Sequence, residues 1–200
     1  METTTKLMLE RALAGVCAVL MAGAAQAALQ DRDLDGDTVV DAFYDTDLDV
    51  TWLRDADVNG VMDWNTAVSW AENYTFGAYT DWRLPTSDQC IGLNCTGSEM
   101  GHLWYVELGN PAGGPMLNTG DFENLQSFGY YSSTVWEANP NGVMAFRTGE
   151  GYQGGDDRSN PYYAMTVRDG DVPSIPEPET YALMLAGLAG LAMATRRRAR

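Results

Sequence analysis

Three prolines fall within six residues, at Pro173, Pro176 and Pro178, inside the segment Val172-Pro173-Ser174-Ile175-Pro176-Glu177-Pro178-Glu179. Each removes a backbone donor and pushes the preceding residue out of helical geometry, so neither a helix nor a central strand can pass through. Whatever folds upstream must end there. Residues 181–194 are Ala, Leu, Met and Gly with one Tyr, followed by Arg196, Arg197, Arg198 and Arg200. A helix of that length rises about 21 Å, short of the roughly 30 Å hydrocarbon core, which predicts transient rather than permanent membrane association through this tail. At the other end, Lys6 and Arg11 precede an apolar run over residues 12–25 and the small-residue pattern Ala25-Gln26-Ala27. That is the layout of a signal peptide over residues 1–27, cut after Ala27 by signal peptidase. Residues 28–171 are left to form the globular part.

The order Pro176-Glu177-Pro178, apolar helix, arginine cluster resembles the PEP-CTERM sorting signal of Gram-negative bacteria. The resemblance implies that residues 172–200 are recognised and removed by an exosortase. It also implies export across the inner membrane, brief retention there, and release to the cell surface or an exopolysaccharide matrix.

Between residues 28 and 176 the chain carries 24 acidic and 6 basic side chains and no lysine, a net charge of -18. Binding to nucleic acid needs clustered Lys and Arg, so a nucleic-acid partner is excluded. The apolar fraction of 45% is that of an ordinary globular chain, and a stretch of this length builds one core and one domain. Cys17 leaves with the signal, so the mature chain keeps Cys90 and Cys95. An even count in an exported chain favours a disulfide between them over a metal or redox pair, pinning a protruding turn.

Along the mature chain, Asp31, Asp33 and Asp35 followed by Gly36 match the first half of an EF-hand loop, whose hard oxygen donors suit Ca²⁺. The second half does not follow, since Ala42 stands where a bidentate Glu belongs. The competing reading is a β-hairpin turning at Asp35-Gly36. Asp45, Asp47 and Asp49 alternate with Thr46, Leu48 and Val50, which predicts a strand with one acidic face. Asp63 caps a helix with Trp64, Ala67, Val68 and Ala71 on one face, and Ser98 caps a second over residues 99–108 that carries His102 and stops at Gly109. Residues 81–86 read as a strand, as do residues 129–136, 143–148 and 162–168. The fold class expected is α+β, a single domain of two helices and short antiparallel strands.

Tyr44-Asp45-Thr46, Thr51-Trp52-Leu53, Asp63-Trp64, the hexad Asp81-Trp82-Arg83-Leu84-Pro85-Thr86, Tyr131-Ser132-Ser133-Thr134, Ala145-Phe146 and Val167-Arg168 together resemble the Lcl C-terminal domain family. The hexad is the specific element. The resemblance implies a C-type-lectin-like fold related to that of formylglycine-generating enzymes, and a surface or matrix role, since at least one member is adhesive and binds glycans. From its own chemistry the hexad reads as scaffold: Arg83 can hold two acceptors in a fixed fork and Pro85 ends the strand.

The function expected is a non-catalytic, exopolysaccharide-associated binding or adhesion module. Tyr130, Tyr131, Trp136, Tyr152, Tyr162 and Tyr163 are candidates for stacking on sugar. A lectin calcium site would use carbonyl side chains flanking a proline, for which Asn139 and Asn141 around Pro140 are candidates, with Asp156 and Asp157 downstream. No cofactor is required in this reading, with Ca²⁺ as an option that would bridge the acidic domain to an anionic polymer. Two alternatives are an oxidase related to formylglycine-generating enzymes, which would need a reactive cysteine pair, and a purely structural matrix component.

Overall fold

The computed structural model describes residues 29–172 and residue 186. The signal segment and the sorting motif Pro176, Glu177 and Pro178 lie outside the described residues. Among the described residues no helix is long and apolar enough to cross a membrane.

Over residues 29–172, two antiparallel sheets and two short helices make up a mixed α+β architecture dominated by strands. The first sheet has the order β1 (Leu29–Arg32), β2 (Ala42–Asp45), β3 (Val50–Leu53), β7 (Val167–Asp169), so the two ends of the domain meet in one sheet. The second is the meander β4 (Gly129–Val135), β5 (Gly142–Arg147), β6 (Tyr152–Asp157). Between β3 and β4 lie α1 (Trp64–Asn73) and α2 (Glu99–His102), the latter running on as a widened π-helical turn over Leu103–Glu107.

Both faces of β3 are covered. Phe43 pairs with Trp52 on the face that meets Leu103, Trp104, Tyr130 and Phe146, while Ala42 pairs with Leu53 on the face that meets Trp82 and Val172. This is why Val50-Thr51-Trp52-Leu53 is buried throughout and shows no alternation. The second sheet is likewise covered on both faces. Tyr130 and Phe146 face α2, whereas Tyr131, Val143 and Ala145 face Ala67 and Ala71 of α1.

The helix caps are those the sequence predicts. Asp63 Oδ1 accepts the Thr66 amide at 3.1 Å and Ser98 Oγ accepts the Gly101 amide at 3.0 Å. Several expectations change. Residues 46–49 form the turn between β2 and β3, because Asp45 Oδ1 accepts the amides of Asp47 and Leu48 at 3.0 Å and folds the chain back on itself. The β1–β2 hairpin is closed by a long loop over residues 33–41 instead of a two-residue turn at Asp35-Gly36. Residues 162–166 form no strand and meet the second sheet at one bridge, Tyr130 to Tyr163, while Tyr162 bridges to Met62. Tyr152–Asp157 is a strand despite Gly154 and Gly155: a Cβ on Gly155 would overlap the Trp136 indole, and one on Gly154 would press on the Tyr152 ring.

Cys90 and Cys95 are joined, as expected, and Cys95 is buried. The loop does more than protrude. Gly92 exchanges both backbone hydrogen bonds with Gln153, at 2.8 and 2.9 Å, so the cystine loop caps the free edge of β6. Replacing both cysteines by serine is expected to cost about 2 kcal/mol in chemical denaturation, the chain-entropy value for so small a ring. Faster hydrogen exchange at Gly92 and Gln153 should accompany the loss.

Candidate binding cleft and carboxylate cluster

The hexad, expected as a strand, is instead a strap between the sheets bridged at Arg83 alone, since Pro85 has no amide to donate to a ladder. Asp81 accepts both ends of the Arg168 fork, at 2.9 and 2.7 Å, and Trp82 is buried beneath Tyr74. The Arg83 backbone pairs with Val167 of the first sheet, at 2.8 and 2.9 Å, while the Pro85 carbonyl accepts the Ser133 amide of the second at 2.8 Å. The Arg83 guanidinium donates to both oxygens of Glu99 at 2.9 and 2.8 Å and to Asp169 Oδ1 at 3.0 and 2.5 Å. Its hydrogen bonds to Glu99 push its pKa above the ordinary arginine value against the effect of burial. Leu84 packs under α1 and Thr86 donates its amide to Glu99.

Of the candidate calcium ligands, Asp33 and Asp35 converge with Asp37 rather than with Asp31, which stands on β1 opposite Phe43. These carboxylates serve the loop's own amides: Asp33 accepts from Asp35, Gly36 and Thr38, Asp35 from Asp37, and Asp37 from Val39. Asn139 and Asn141 sit in the β4–β5 turn, where Asn139 Oδ1 accepts the Asn141 amide at 3.2 Å. The downstream carboxylates are engaged elsewhere, Asp156 with Arg147 and Tyr162 and Asp157 with Ser159.

The six proposed stacking rings divide. Tyr130 and Tyr131 are core; Trp136, Tyr152, Tyr162 and Tyr163 are half-buried. Tyr162 lines a cleft of about 290 Å³ at one end of the second sheet, together with Phe128, Arg147 and Glu150. Phe128, absent from the sequence candidates, is 48% exposed and stands edge-on to both neighbouring tyrosines, at 5.7 Å from Tyr162 and 5.9 Å from Tyr163. Arg147 lies over the Tyr152 ring at 5.6 Å and donates to Asp156 at 3.0 Å. Burial opposes ionisation of Asp156, but the Tyr162 hydroxyl, the Asp157 amide and Arg147 outweigh it and hold its pKa below the usual carboxylate range.

A second group was hidden from the sequence altogether. Asp45 at the end of β2, His102 and Glu107 each bring a ligand atom to within 4.8 Å of the others. The widened turn makes this possible. In a regular α-helix residues five apart diverge, whereas the Leu108 amide here donates to the Leu103 carbonyl at 2.9 Å, an i to i−5 bond that brings His102 Nε2 to 3.1 Å from Glu107 Oε1. Burial raises the Glu107 carboxyl above its ordinary pKa, the Asp45 charge adds to this, and His102 opposes it. Glu107 also lines a cleft of about 410 Å³ with Asp31, Asp47 and Asp121.

Comparison with known proteins places two matches on the chain. The PEP-CTERM protein-sorting motif covers residues 174–198, which makes this an exported protein sorted by an exosortase across the inner membrane of a Gram-negative bacterium. No curated protein matches the chain. The Lcl C-terminal domain matches residues 41–168, more than half of the chain, and takes in the hexad, both helices and strands β2 to β7 to within a residue at either end. The chain therefore belongs to the Lcl C-terminal domain family.

Proposed function

We propose that the mature domain is a non-catalytic, C-type-lectin-like module that binds polysaccharide at the cell surface or in the extracellular matrix. The observation that carries this reading is the cleft around Phe128 and Tyr162. It offers two ring faces at right angles, a guanidinium at Arg147 and a carboxylate at Glu150, the combination that stacks on sugar faces and hydrogen-bonds sugar hydroxyls. The net charge of -18 between residues 28 and 176 favours neutral glycans, because uronic-acid or sulfated chains are repelled unless a divalent cation such as Ca²⁺ bridges them. The cystine supports the non-catalytic reading, since Cys95 is buried and the loop is closed over β6. An oxidase of the formylglycine-generating kind would need that pair free and reactive.

A glycan array probed with the full chain, with and without Ca²⁺, tests this directly. Binding to neutral glycans is expected, with about a tenfold loss for Phe128→Ala, an exposed ring whose removal leaves the core intact. Absence of binding in both conditions leaves a purely structural matrix component.

A further inference from the structure

Asp45 is the charged residue most completely enclosed in the described core, at 0% exposure. Its Oδ1 serves the β2–β3 turn, while Oδ2 has no hydrogen-bond partner. A buried carboxylate oxygen without a donor is strongly unfavourable unless something else balances it. Around it stand Glu107 and, with Oδ2 3.9 Å from His102 Nε2, Asp47. Three carboxylates thus surround one imidazole.

No other cation stands there among the described residues. Among the described residues the six arginines are committed elsewhere: Arg32 to Asp171, Arg54 to Glu123, Arg83 to Glu99 and Asp169, Arg147 to Asp156, and Arg168 to Asp81, while Arg158 donates to the Pro140 carbonyl. A dication would balance the charge, with Asp45 and Glu107 as carboxylate ligands and His102 as a nitrogen ligand. Calcium and magnesium prefer all-oxygen shells, whereas one imidazole with two carboxylates suits a first-row ion. Ligand atoms about 2.0–2.2 Å from a tetrahedral zinc ion stand roughly 3.3 Å apart, close to the 3.1 Å between His102 and Glu107.

We infer that Asp45, His102 and Glu107 form a zinc-class divalent metal site, with one coordination position open toward the cleft that Glu107 shares with Asp31, Asp47 and Asp121. The widened turn is the device that assembles it, and such turns recur at functional sites. The acidic walls of the cleft give an ion an electrostatically favourable path inward. The site is independent of the polysaccharide reading, whose cleft shares none of these residues.

The test is titration of the chelator-stripped full chain with Zn²⁺ by calorimetry. One Zn²⁺ per chain is expected, with affinity at least about tenfold weaker in Glu107→Gln and in His102→Gln. The double variant Asp33→Asn/Asp35→Asn, in the exposed acidic loop, should bind as the wild type does. X-ray absorption of the zinc-loaded wild type should show nitrogen and oxygen neighbours with imidazole scattering. The inference is overturned by an absence of saturable binding, by undiminished affinity in both site variants, by Ca²⁺ binding there as strongly as Zn²⁺, or by a first shell without imidazole. The absorption measurement decides the matter even where a variant fails to fold.

Discussion

Gly101→Ala, a change that stabilises an ordinary helix interior by about 1 kcal/mol, is expected to destabilise this domain by about 3 kcal/mol. The reversal of sign comes from packing. A Cβ at Gly101 would overlap the Cys95 carbonyl oxygen and lie 2.8 Å from Ser98 Oγ, the atom that caps the same helix. Neither neighbour is the free end of a flexible side chain. Cys95 is tied to Cys90, and the loop between them is bonded to β6 through Gly92 and Gln153, so relief requires α2 to lift away from the cystine loop. Denaturant unfolding should show a lower midpoint with an unchanged slope. A neutral or stabilising result would mean that α2 does not rest on the cystine loop at all.

The second large effect is expected at Arg83. Arg83→Ala removes the fork between Glu99 and Asp169 and leaves Glu99, whose side chain is 12% exposed, without its bidentate partner. Breaking a buried pair from one side costs about 3–5 kcal/mol, and partial solvent access to Arg83 puts this case near the lower figure, about 3 kcal/mol. Arg83→Lys keeps the charge but cannot reach Glu99, Asp169 and the Leu84 carbonyl together, so it should recover less than half of the loss. Thermal unfolding of the two variants side by side decides it: a lysine variant as stable as the wild type would reduce Arg83 to a point charge.

These two positions differ in how openly the sequence announces them. Arg83 lies in a hexad whose chemistry can be read from residue types alone, and every member of it finds a partner in the structure. Gly101 is one small residue within a helix signal, and nothing local records that Cys95 is its neighbour. The caps at Asp63 and Ser98 and the apolar face of the first helix were legible because they depend on contacts three or four residues apart. Residues 46–49 were misread as strand because the Asp45 side chain, in competing for local amides, overrode a period-2 pattern. β6 was missed because its glycines are explained only by the aromatic rings that cover them. His102 and Glu107 looked unrelated because five-residue spacing places two side chains on one face only where the helix widens.

The amino-acid order by itself determined how the chain is addressed for export, which residues start the helices, and the excess of negative charge that the exported domain carries. These depend on proline geometry, on uninterrupted apolar length and on local hydrogen bonding, none of which needs a distant partner. The tertiary structure alone decided which carboxylates are enclosed and which are wet, and that β2 delivers Asp45 to His102 and Glu107. It alone set Phe128 beside Tyr162 at a sheet end. Side chains far apart in the chain acquire a common environment only when two sheets close over a shared core, and charge, burial and coordination are properties of that environment.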